Sequence, residues 1–178
     1  PATKQLYRYH PYLGHFSTTD LKGDWKRHRW AIDESRGTEY VGAPSVIWHD
    51  KLEQYVMVVE TILNNTRRLE VCYSDDLDNW KRSYSPILPD KLWISTRDPQ
   101  IIKRPNGEYW ILLVSIGAEN KQRSQVIRIK TTDFITFADP EEILGIDDNN
   151  WGTLMESPFL VERNNMWYLF FTYAHKKY

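Results

Sequence analysis

The chain has 178 residues, by length a single domain large enough to bury a core. Its 23 lysines and arginines against 24 aspartates and glutamates leave a net charge of −1, which removes the electrostatic case for binding nucleic acid or an anionic membrane. One cysteine excludes an internal disulfide. No apolar run is long enough for a membrane-spanning helix, and no charged-apolar-small leader pattern opens the chain.

In chain order, residues 1–30 contain Thr19-Asp20-Leu21 ending in Trp25 but no proline-opened strand pair, so they read as the outer strands of a unit. His10 and His15 have poor metal spacing and no nearby third ligand, which makes them loop histidines. Lys26-Arg27-His28-Arg29 reads as a solvated turn. Residues 41–88 form a complete unit. Ala43-Pro44-Ser45-Val46-Ile47-Trp48 opens it, Gln54–Val59 and Arg68–Tyr73 follow as strands, and Asp76-Leu77 leads to Trp80. Cys72 falls in the third of these strands and reads as a small packed side chain. Asn64-Asn65-Thr66 matches a glycosylation acceptor that is common by chance.

Residues 97–140 repeat the plan. Asp98-Pro99-Gln100-Ile101-Ile102-Lys103 is followed by the hairpin sequence Pro105-Asn106-Gly107-Glu108, strands Tyr109–Val114 and Gln125–Lys130, and Asp133-Phe134 leading to Phe137. Asp147-Asp148-Asn149-Asn150 lacks the glycine and distal glutamate of a calcium loop and reads as a polar turn. The last unit, 155–178, opens with Ser157-Pro158-Phe159-Leu160-Val161-Glu162 and has a second strand Trp167–Thr172.

The prolines at 44, 99 and 158 recur at intervals of 55 and 59 residues, and the aspartates at 20, 76 and 133 at intervals of 56 and 57. Two signatures in step mark a repeated supersecondary unit, and small antiparallel sheets at this period are propeller blades. The expected fold is all-β: an incomplete β-propeller with half a blade, two full blades and another half. Such a row exposes sheet edges, so the expectation is either a segment of a longer protein or a homo-oligomer whose halves complete one another.

The inner strand of a blade starts at the central funnel. Asp98, in Thr96-Arg97-Asp98-Pro99, and Glu156, in Met155-Glu156-Ser157-Pro158, stand at equivalent starts and should converge on one cavity. Paired carboxylates are what glycosidic cleavage requires, one to protonate the leaving oxygen and another to activate water or attack the anomeric carbon. Trp93 and Trp151 each precede their carboxylate by five residues and are candidate platforms for stacking on a sugar. Arg-Asp-Pro by itself is also a common turn, and the shared register is what separates the two readings. No cofactor motif is present, and no metal site is expected.

These motifs resemble the five-bladed propeller glycoside hydrolases of family 43 and the related family 32. Val41-Gly42-Ala43-Pro44-Ser45-Val46 resembles the Trp-Ala-Pro-x-Val motif of family 43. Arg97-Asp98-Pro99 is similar to the Asp-Pro motif of family 43 and the Arg-Asp-Pro motif of family 32. Glu156-Ser157-Pro158, with Arg163 and Trp167–Phe170, is similar to their Glu-Gly-Pro or Glu-Cys-Pro motif. The resemblance implies Glu156 as general acid, and Asp98 as its modulator or as a stabiliser of the oxocarbenium-like transition state. It implies Arg97 as a ligand of a substrate hydroxyl. Gly42 stands where the family has tryptophan, Ser157 matches neither family, and the first-blade aspartate would precede Pro1. The expected activity is hydrolysis of furanoside or xyloside linkages in an oligosaccharide or polysaccharide, negligible if the 178 residues are the whole native chain. The alternatives are a non-catalytic sugar-binding propeller and a protein-interaction propeller. The compartment is left open.

Overall fold

The computed structural model describes residues 12–33, 38–63, 66–88, 93–117, 124–146 and 154–174. Among them are fourteen strands, and no helix is long and apolar enough to cross a membrane. Two short hairpins come first: β1 (Tyr12–Leu13) pairs with β4 (Ile32–Asp33), and β2 (Phe16–Ser17) pairs with β3 (Lys26–Arg27). Four antiparallel strands then follow in sequence order, β5 (Thr38–His49), β6 (Gln54–Leu63), β7 (Thr66–Ser74) and β8 (Lys81–Pro86). The next four repeat that order: β9 (Trp93–Lys103), β10 (Tyr109–Gly117), β11 (Ser124–Thr131) and β12 (Glu141–Ile146). A final hairpin joins β13 (Leu154–Arg163) to β14 (Met166–Ala174). A single parallel bridge, Arg67 to Ser95, links the two four-stranded sheets.

The apolar runs of β6 and β10 show no alternation because both faces of each strand are covered. Val56 and Val58 on β6 pack with Ile111 and Leu113 on β10, together with Leu69, Ile127 and Phe134. The opposite faces serve the neighbouring layers. Met57 and Val59 meet Ile32 and Val41, while Leu112 and Val114 meet Met155 and Leu160. The sheets are therefore stacked like the layers of a propeller. Past the last layer, Phe159, Met166 and Phe170 on β13 and β14 are each more than half exposed.

One hydrogen bond repeats at two of the junctions between sheets. The residue after the proline in one sheet bonds the backbone two residues after the proline in the next. The Ser45 hydroxyl accepts from the Ile101 amide at 2.9 Å. Gln100 accepts from the Leu160 amide at 2.7 Å and donates to the Leu160 carbonyl at 3.3 Å.

The aspartate signature is a turn device. A hydroxyl two residues upstream (Ser74, Thr131) accepts the amides of Leu77 and Phe134, each at 2.9 Å. The carboxylate then takes the next two amides, at 2.8–2.9 Å in both turns. Leu77 and Phe134 adopt φ of 67° and 57°, and the anchored aspartates hold them there. Amide and side-chain bonds from Asn79 draw the Asp76 carboxyl down to about 2. Gly107, at φ 82°, closes the hairpin between β9 and β10. Cys72 is fully buried, and burial pushes its thiol up, as befits a packing residue.

Candidate functional site

The three proline-opened starts share one backbone irregularity. Ala43, Asp98 and Ser157 have φ of 46°, 55° and 52°, and the strand register slips at each. A residue before proline is normally extended, and a non-glycine residue at positive φ is uncommon. Here the bulge breaks the strand and re-aims the preceding side chains, which places them at the seam between sheets.

At the second seam the predicted residues meet. Arg97 is 8% exposed, and its Nη1 lies 3.3 Å from Glu156 Oε1 while Nη2 donates to the Met155 carbonyl at 3.3 Å. The Asp98 carboxylate accepts from the Ser157 amide at 2.8 Å. Arg97-Asp98 thus grips Glu156-Ser157 across the seam, fixing two carboxylates from two sheets at one end of the stack. The Glu156 side chain keeps 40% of its surface in solvent. Buried Arg97 Nε has no hydrogen-bond partner among the described residues, leaving one donor of the guanidinium unused. Trp93 begins β9, but its side chain, like the whole of Trp151, lies outside the described residues.

Sequence reasoning missed Glu60 and Tyr40. Glu60 shares a face of β6 with Val58 and is 1% exposed. It forms an ion pair with Arg67 on β7. Burial raises its carboxyl to about 7; Arg67 opposes that rise and Asp98 adds to it. Glu60 therefore belongs to the Asp98 neighbourhood. An isolated glutamate within an apolar run is the only trace it leaves in the sequence. Tyr40 lies over Gly42: a Cβ on Gly42 would stand 2.0 Å from the Tyr40 hydroxyl and 2.4 Å from Cζ. The Tyr40 phenol is pushed up by burial, then by the Glu60 charge, with Asp98 contributing further. Where the families place a tryptophan at Gly42, this chain thus sets an aromatic ring from two residues upstream.

Other chemically capable side chains are structural. His49 is buried, accepts the Leu52 amide at 3.1 Å, contacts the Thr132 carbonyl at 3.0 Å and stacks on Tyr109. Trp110 and Trp167 pack on each other with centroids 5.3 Å apart, and Arg104 lies within 5 Å of each centroid, which accounts for two of the tryptophans as packing. The seam, by contrast, holds two carboxylates and a buried guanidinium, with Glu60, whose carboxyl burial raises, nearby, a set suited to gripping hydroxyls and moving protons.

A model of the glycosyl hydrolases family 32 N-terminal domain matches residues 12–177. No curated protein sequence matches the chain. Three solved structures share its fold at low identity. A variant β-fructofuranosidase of family 32 from Bombyx mori, in complex with sucrose, is 16% identical with a TM-score of 0.73, covering 96% of this chain and 39% of that one. A thermostable family 43 glycoside hydrolase is 18% identical, with a TM-score of 0.74 and coverage of 93% and 58%. A variant fructofuranosidase from Schwanniomyces occidentalis, complexed with fructosylnystose, is 14% identical, with a TM-score of 0.65 and coverage of 90% and 33%. The chain spans less than two thirds of each. These likenesses bear out the all-β propeller expected from the repeat and its partial extent relative to such enzymes.

Proposed function

The chain belongs to glycosyl hydrolase family 32, and from that premise we propose that the seam between β9 and β13 binds the furanoside unit of a fructose-containing oligosaccharide and serves its hydrolysis. The observation that carries this reading is the cross-sheet grip, in which buried Arg97 holds Glu156 while Asp98 holds the Ser157 amide. Solvent-facing Glu156 protonates the leaving oxygen. Asp98, pinned by its amide bond, presents a fixed negative charge to the oxocarbenium-like transition state. Arg97, which holds Glu156, is the proposed ligand of a sugar hydroxyl. Tyr40, over Gly42, supplies an aromatic surface near these groups, and Glu60 sits behind Asp98 as a proton-bearing neighbour. Trp93 and Trp151 are the proposed flanking platforms.

Calorimetric titration of the chain with sucrose and short fructans, paired with a reducing-sugar assay, tests this. Saturable binding that Arg97→Ala removes, with Glu156→Gln still binding, is the expected result. Turnover abolished by Glu156→Gln would also support the acid role. Absence of binding to any fructoside in folded protein would end the proposal. Binding with no turnover even in a longer protein carrying the first-blade aspartate would reassign the fold to sugar capture alone.

A further inference from the structure

The β2–β3 hairpin and the turn after β7 bring together three ligating atoms. His15 and His28 are cross-strand neighbours, tied by the His28 amide donating to the His15 carbonyl at 3.0 Å. Their imidazoles stack with centroids 4.5 Å apart and planes 20° from parallel. Both Nδ1 atoms face one carboxylate oxygen, Asp78 Oδ1, at 3.4 Å from His15 and 2.8 Å from His28. The three atoms lie within 4.8 Å of one another.

The packing of these atoms calls for a cation. His15 Nδ1 and Asp78 Oδ1 are both buried, yet neither has a hydrogen-bond partner among the described residues. The 2.8 Å approach of His28 is thus not aligned as a hydrogen bond. On its other side, His28 Nε2 lies 2.6 Å from the Ser17 hydroxyl, an outer contact that holds the ring and, when Nε2 donates, leaves Nδ1 a bare acceptor. Two nitrogens and an oxygen then crowd their lone pairs within 4.8 Å of one another, which is repulsive unless positive charge lies among them. Tetrahedral zinc with bonds of about 2.0–2.1 Å sets its ligands about 3.3 Å apart, against 3.4 Å from Asp78 Oδ1 to His15 and a shorter 2.8 Å to His28 here. Two imidazoles and one carboxylate favour zinc over calcium or magnesium, which prefer all-oxygen shells. The Asp78 side chain is 45% exposed although its Oδ1 is buried.

We propose that His15, His28 and Asp78 form a zinc site that clasps the first hairpin onto the turn after β7. Nothing in it touches the seam between β9 and β13, so its purpose is structural. Neutral imidazoles and an ionised carboxylate are the binding forms, and the ion stabilises the folded chain because the unfolded chain does not bring residues 15, 28 and 78 together.

The test is titration of tag-free, chelator-treated protein with zinc chloride by calorimetry, and with cobalt chloride by visible absorption. One equivalent of zinc, tetrahedral cobalt bands that zinc displaces, and a Tm rise of roughly 5–10 °C at hundredfold excess over Kd are expected. His28→Gln and Asp78→Asn should each abolish the bands and the Tm rise while keeping the metal-free far-ultraviolet spectrum. His175→Gln should change neither. Two variants guard against one failing to fold. Absence of saturable binding in folded wild-type protein would overturn the proposal, as would binding that survives both His28→Gln and Asp78→Asn.

Discussion

Replacing Glu60 by glutamine isolates what burial does to a carboxyl at the funnel end. Burial lifts Glu60 from an ordinary value of 4.5 to about 7, against the pull of Arg67. In the unfolded chain the same group ionises near its ordinary value. Across the interval between those values the folded state holds a proton the unfolded state has lost, so stability falls as pH rises. Below the unfolded value the group costs nothing, and above the folded value the loss is complete. At about 1.4 kcal/mol for each pH unit, that loss is about 3 kcal/mol. Glu60→Gln keeps the side chain's shape and its contact with Arg67 while removing the titration. Urea unfolding of both proteins near pH 5 and near pH 8 reads the effect, which is the difference between the two pH slopes. Wild type should lose about 3 kcal/mol more than the variant on going from the acid to the alkaline condition. Parallel profiles would refute the reasoning, because they would mean that Glu60 holds no extra proton in the folded chain.

Glu70 is fully buried and accepts from Arg82 at 2.5 and 3.1 Å and from Thr61 at 3.2 Å. Glu70→Ala takes the buried carboxylate away from Arg82 and should cost about 3–5 kcal/mol in urea unfolding, with Glu70→Ala/Arg82→Met recovering part of it. Gly42→Ala drives a methyl into the Tyr40 ring and should cost about 1–3 kcal/mol. Tyr40→Ala in the same protein should relieve most of that clash, whereas Tyr40→Phe should not, since the ring carbon Cζ is itself only 2.4 Å from the new atom.

The repeat was legible because it is local. Proline, aspartate and strand-forming residues fall at fixed intervals, and each copy folds into the same strands and turns for the same reasons. The bulge hidden in that repeat was not legible. Asp98 before Pro99 argues for extended backbone, and only docking against the next sheet holds it at φ 55°. Arg97, Asp98 and Glu156 could be paired in advance because each lies one or two residues before a repeated proline. Glu60 and Tyr40 could not, since neither occupies a position in the signature and both enter through cross-strand neighbours. The distance between residues 15 and 78 likewise concealed the histidine cluster. His15 stacks on His28 across a hairpin, thirteen residues on in sequence, and His10 lies outside the described residues.

The hydrogen bond that Ser45 and Gln100 each send to the following sheet has a consequence for how such a chain can grow. Donor and acceptor sit side by side, one and two residues past the same proline, so a sheet copied in tandem brings both halves of its own joint. A duplicate carries its own docking bond, because the side-chain acceptor and the backbone donor both lie within a three-residue stretch. Everything outside that stretch is free to drift, which fits a fold shared with enzymes only 14–18% identical to this chain. The third copy has already drifted at the joint: Phe159 stands where Ser45 and Gln100 stand, and a sheet seated beyond it would be held by an apolar ring rather than by a hydrogen bond.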